Sequence, residues 1–148
     1  MYKIEDSKKY LDKWQEILSL KDWTIKIKEV DKEWRKSGDI KIDSDNMQAI
    51  LMLNTYNPKR NNLEALIVHE LLHLKLWGMD QMIEELINTV FGQDPSDPKY
   101  QFAFRKFMGV LEPTVEHLAL AYMSLGGDDM SESFSRLDLQ VKEEIGEE

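Results

Sequence analysis

Residues 61–78 read NNLEALIVHELLHLKLWG. Leu63, Leu66, Ile67, Leu71, Leu74 and Trp77 recur at the period with which an α-helix turns one stripe toward a core. Asn61 is suited to cap such a helix, with Glu64 three residues on as its reciprocal partner, and Gly78 is suited to stop it. A helix is therefore predicted over residues 63–77. Inside it stands His69-Glu70-Leu71-Leu72-His73, which holds two of the three histidines of the chain. Four residues of helix advance about 400°, so His69 and His73 leave one face within reach of a single ion. Glu70 stands about 100° round from His69, close enough to touch a water on that ion while both imidazoles coordinate. The plain alternative is a pair of histidines decorating a helix surface.

Upstream of this helix, Tyr10, Leu11, Trp14, Ile17 and Leu18 mark an amphipathic helix within residues 5–20. The period then changes. Trp23, Ile25 and Ile27 alternate with Thr24, Lys26 and Lys28, as in a half-buried strand. Ser37-Gly38-Asp39 reads as a turn, Ile40-Lys41-Ile42 as a short second strand, and Asp43-Ser44-Asp45-Asn46 as another turn. Gln48–Asn54 is a more continuous apolar run, suited to a strand covered on both faces or to an edge strand beside a cleft. A small antiparallel or mixed sheet is expected, and Asn57-Pro58-Lys59-Arg60 ends it. Downstream, residues 82–91 form a helix, 92–98 a loop, and 102–123 a largely helical stretch with a break or restart near Pro113. Gly126-Gly127-Asp128-Asp129 reads as a linker to an acidic tail whose apolar residues are Phe134, Leu137, Leu139, Val141 and Ile145. The fold class expected from this order is α+β.

Composition removes several functions. The chain has 148 residues and no cysteine, so disulfides and thiolate metal sites are excluded and a metal must sit on His, Asp or Glu. Nineteen Lys and Arg stand against 28 Asp and Glu, a net charge of −9 that argues against non-specific nucleic-acid binding. Lys3, Glu5, Asp6, Lys8 and Lys9 interrupt the first ten residues, which lack the apolar middle of a signal peptide. No apolar stretch approaches the roughly 20 residues of a membrane span. A cytoplasmic protein with neither nucleic-acid nor membrane partner is expected.

A catalytic zinc site takes three protein ligands and keeps one position for water. An extended motif with a further histidine six residues after the second fails, because that position is Met79. Glu84 and Glu85 are the nearest later acids. Glu112 and Glu116, four apart, share a helix face, so one can bind the metal while the other orients a ligating imidazole. The plain alternative is that both are acids favoured by a helix N-terminus.

Through His-Glu-Leu-Leu-His and the downstream Glu112-x-x-x-Glu116, the chain resembles the zincin metallopeptidases, in particular the small gluzincin-like members called minigluzincins. Its order of helix, three strands, active-site helix and second ligand-bearing helix is similar across about residues 5–123. The resemblance implies a zincin-like domain over residues 1–127: a sheet of three or more strands packed on the active-site helix. By their own composition, residues 128–148 read either as an acidic tail able to cover the cleft and keep the enzyme latent or as a solvated, frayed terminus. The resemblance implies a zinc metallopeptidase, an endopeptidase acting on a peptide or protein substrate, with one Zn2+ per chain. His69, His73 and Glu112 match the metal ligands, Glu116 the residue supporting a histidine, and Glu70 the general base. It also implies that a strand bordering the cleft pairs with substrate, and Gln48–Asn54 is the segment that matches. Pro113, directly after Glu112, departs from the family pattern, as does Glu116 where larger gluzincins carry Asp. Glu116 and His117 thus stay open as third ligand. His117, Tyr122, Arg105 and Tyr56 are candidate donors to a transition-state oxyanion. Two competing readings are a non-catalytic metal-binding or regulatory module on the same scaffold, and a helical interaction domain with chance histidines.

Overall fold

Period-two alternation carries the chain from Thr24 into the first strand of a sheet, whose inner face is buried most deeply along its central strand, at Ala49, Leu51 and Leu53. The computed structural model describes residues 3–131 and 134–146. A 3-10 turn, Ile4–Asp6, leads into α1 (Ser7–Ile17), followed by β1 (Thr24–Val30), β2 (Gly38–Asp43) and β3 (Gln48–Asn54). Four more helices follow: α2 (Leu63–Lys75), α3 (Trp77–Phe91), α4 (Pro98–Gly126) and α5 (Ser135–Ile145). The class is α+β, with a three-stranded mixed sheet in the order β1-β3-β2. β1 runs parallel to β3, and β2 runs antiparallel to it.

Gln48–Asn54 is thus the central strand, which corrects both expectations for it. It is no edge strand, because the tight turn after β2 lays β2 along one side of it and β1 occupies the other. In that turn the Asp43 carboxylate accepts from the Asn46 backbone at 3.3 Å and from its side-chain amide at 2.8 Å. Nor is β3 covered on both faces: Ala49, Leu51 and Leu53 are buried, whereas Ile50 is 45% exposed. The edges are β1 and β2. β2 begins at Gly38, inside the expected turn.

α2 lies at the centre of the molecule. Sheet, α1 and α4 cover it, with Leu63, Leu66, Ile67, Val68, Leu71, Leu72 and Leu74 all buried. Its cap is Asn62, not Asn61: the Asn62 Oδ1 accepts from the Ala65 backbone N–H at 2.9 Å. That one-residue shift places Glu64 second rather than third in the helix, out of register for a capping box. Gly78 is not a stop, since α2 ends at Lys75 and α3 already contains Gly78 in its first turn. Asp97 caps α4, accepting from the Lys99 N–H at 2.8 Å ahead of Pro98. α4 then continues through Pro113 without the expected break, because Val115, Ala119 and Met123 bury the stripe that follows.

The segment Gly126-Gly127-Asp128-Asp129 is tied down rather than free. The Glu64 carboxylate, fully buried, accepts the backbone N–H groups of Asp128 and Asp129 at 2.8 Å each. The Asn62 side-chain amide donates to the carbonyls of Asp129 and Ser131 at 2.8 and 3.0 Å. Beyond it, Leu137, Leu139, Val141 and Ile145 of α5 are exposed. Among the described residues, no helix is long and apolar enough to cross a membrane.

Candidate metal centre

His69 and His73 project from α2 one turn apart, with ring centroids separated by 5.0 Å and planes inclined at 66°. α4 packs against α2 through Val115 and Ala119, and the same helix stripe carries Glu112 one turn earlier. Its Oε1 stands 3.5 Å from His73 Nε2 and its Oε2 3.9 Å from His69 Nε2. One donor atom from each of His69, His73 and Glu112 lies within 4.8 Å of the others. Bonds of about 2.1 Å to a tetrahedral ion would set its donors about 3.4 Å apart, so these separations fit a shared ion. The trio can hold a metal ion and leaves a fourth corner for another ligand. Glu84, Glu85, Glu116 and His117 are not members of this group.

Glu116 lies behind His69. Its Oε2 accepts from His69 Nδ1 at 2.7 Å, which directs the Nε2 lone pair toward Glu112 and His73. The same oxygen accepts from the Arg60 guanidinium at 2.8 Å. The bond to His69, and then Arg60, hold the Glu116 carboxyl down at about 2 against the opposing effect of burial. Sequence reasoning found Glu116 by its helical spacing and missed Arg60, read only as part of a strand breaker.

Glu70 is 7% exposed. Burial is the largest influence on its carboxyl and lifts it to about 7; Asp39 and Glu112 push the same way, and His69 and Arg60 oppose. Burial also lowers His73 below the usual imidazole range, with Glu112 and Asp39 opposing. Asp39, the second residue that sequence reasoning missed, lies on edge strand β2. Its carboxylate meets Lys36 and Lys41 at 3.1 Å each. β2 packs on α2. The edge strand beside the site is therefore β2, and not Gln48–Asn54, whose backbone is paired on both sides.

The Tyr122 ring stands edge-on to Trp14 at 6.3 Å, roughly 9 Å along the helix axis beyond Glu116. His117 is exposed and turned about 140° from Glu112 around α4. Tyr56 and Arg105 are exposed. No described tail residue joins the trio.

Chemically, the arrangement offers two imidazoles and a carboxylate to one cation, beside a buried carboxyl able to exchange a proton near neutrality. Protein-family models, curated proteins and solved structures give no significant match to this chain.

Proposed function

We propose that the chain is a zinc-dependent metallopeptidase with a zincin-like scaffold. The observation that carries the reading is the convergence of His69, His73 and Glu112 within 4.8 Å, with Glu70 beside them. Two imidazoles and one carboxylate suit zinc, and three protein donors are the number that a catalytic rather than a structural zinc takes. When bound, the ion supplies an activated water and polarises the scissile carbonyl.

The chain's own residues do the rest. Glu70 accepts the proton of the attacking water and returns it to the leaving amine, a task that favours a carboxyl titrating near 7. Glu116 accepts from Nδ1 of His69 and so keeps Nε2 for the ion. Among the described residues, β2 has one edge with no strand beside it, next to α2, to which an extended peptide or protein segment can add as a strand. A metal-holding module that cleaves nothing would keep the same trio, but it has no use for a buried base.

Elemental analysis of the purified protein should find one zinc per chain. Glu70→Gln should retain that zinc and lose at least a hundredfold in hydrolysis of unstructured peptides, because an amide accepts no proton. Full activity in Glu70→Gln, or hydrolysis by wild type that survives chelation, would remove the assigned chemistry.

A further inference from the structure

Glu112 and Glu116 stand one helical turn apart on α4, and both reach His69: Glu112 at Nε2 and Glu116 at Nδ1. Two flexible carboxylates on one stripe can in principle compete for the same ion. In the structure they are sorted, and the group that touches only one of them is Arg60. Its Nη2 lies 2.8 Å from Glu116 Oε2, the oxygen that also takes the 2.7 Å bond from His69.

Arg60 is itself mounted on an anchored loop. Ser37 Oγ accepts the backbone N–H of Lys59 at 2.9 Å and of Arg60 at 3.1 Å. The Asn54 side chain holds the start of that loop, donating to the Lys36 carbonyl and to Asn57 Oδ1 at 2.8 Å each and accepting the N–H groups of Tyr56 and Asn57 at 2.9 Å. Two residues after Arg60, Asn62 caps α2. The guanidinium therefore starts from a backbone fixed to both the sheet and the metal-bearing helix.

We propose that Arg60 is a positioning residue that holds Glu116 against His69 Nδ1, leaving Glu112 as the carboxylate that meets the ion. This rests on the metal reading of the trio and not on peptide hydrolysis. An ordinary ion pair with both side chains 35% exposed would contribute little to stability. A pair that orients a ligand instead shows itself in metal affinity, where such supporting contacts are worth about 10–100-fold.

The test is zinc affinity, measured by competition with a chromophoric chelator, in wild type, Arg60→Met, Arg60→Lys, Glu116→Gln and the Arg60→Met/Glu116→Gln double variant. Arg60→Met should bind zinc about tenfold more weakly, and Arg60→Lys should recover most of that loss. In the Glu116→Gln background, Arg60→Met should change affinity by less than about twofold, because the partner through which it acts is gone. An Arg60→Met variant with wild-type zinc affinity overturns this role alone. So does an undiminished Arg60→Met effect without the Glu116 carboxylate. A wild-type protein that takes up no zinc overturns the metal reading and this role together.

Discussion

Two glutamates in this molecule sit on opposite sides of the ordinary carboxyl range. Burial lifts Glu70 to about 7, whereas His69 and Arg60 hold Glu116 at about 2. Their effects on stability have opposite signs. A carboxyl raised on folding contributes stability in full below its unfolded value of 4.5 and loses it as pH rises through 7. Glu116, being depressed, contributes above 4.5 and loses it as pH falls toward 2. His73, lowered by burial, contributes above 6.5 and loses it as pH falls, so it opposes Glu70 across the same window. A variant comparison separates the two. In chelator-stripped protein, Glu70→Gln should gain stability relative to wild type as pH rises from 4.5 to 7, by on the order of 3 kcal/mol. Urea unfolding at both pH values measures this, and a difference that stays constant would contradict it. At this scale the sequence was legible where geometry is local. The four-residue spacings of His69 with His73 and of Glu112 with Glu116 hold on any helix. Arg60 and Asp39 were illegible because each reaches the site across the fold, Arg60 to a residue 56 positions away.

Elements were legible by period and illegible by position. Alternation identifies β1 as a strand and a continuous apolar run identifies β3, but nothing along Gln48–Asn54 states that two neighbours flank it; that depends on which strands the turns bring alongside. β2 was read too short because Gly38 resembles a turn residue. The structure assigns that glycine another task, since a Cβ there would lie 3.0 Å from Leu66 Cδ1 and 3.2 Å from the Met52 carbonyl. The missing side chain lets β2 approach α2 closely, at the edge beside Glu70. Gly38→Ala should therefore push strand and helix apart and destabilise by about 1–3 kcal/mol, the usual range for overpacking. On the proposed metallopeptidase reading it should also weaken peptide hydrolysis while zinc content stays at wild-type level, because His69, His73 and Glu112 lie on α2 and α4. A Gly38→Ala protein as stable and active as wild type would refute the close-approach argument. The long α4 makes a related point. Pro113 argued for a break from propensity alone, yet the buried stripe of Val115, Ala119 and Met123 carries the helix through it and keeps Glu112 and Glu116 in one register.

Over the whole molecule, α2 joins two polar centres. His69 and His73 of the candidate metal trio lie in its second half, and the Glu64 cluster lies in its first turn. Glu64 accepts from Lys13 Nζ at 2.7 Å and Trp14 Nε1 at 2.8 Å, both on α1, and from the backbone beyond α4. A single carboxylate thus ties α1 and the chain leaving α4 to the start of α2. Sequence reading missed this because two of the four donors are backbone amides, which leave no mark in residue identity, and because Glu64 had a ready local explanation as a capping residue. Burial alone would raise its carboxyl, but the four donors outweigh burial and lower it. Its contribution is therefore present above 4.5 and lost as pH falls. Glu64→Gln keeps the shape but removes the charge, leaving Lys13 without that partner and presenting an amide N–H to groups that also donate. The expected cost is roughly 2–4 kcal/mol in urea unfolding at pH 7, within the range for breaking a buried charged cluster. It should shrink as pH falls below 4.5, because the stability contributed by the wild-type charge is progressively lost there. Hydrogen exchange at the Asp128 and Asp129 amides should accelerate more than at the amides of α2, because those two lose their charged acceptor while the helix keeps its own bonds. A Glu64→Gln protein of wild-type stability with unchanged exchange at Asp128 and Asp129 would show that packing of Trp14 and Leu11, rather than the carboxylate, holds this end of the molecule together.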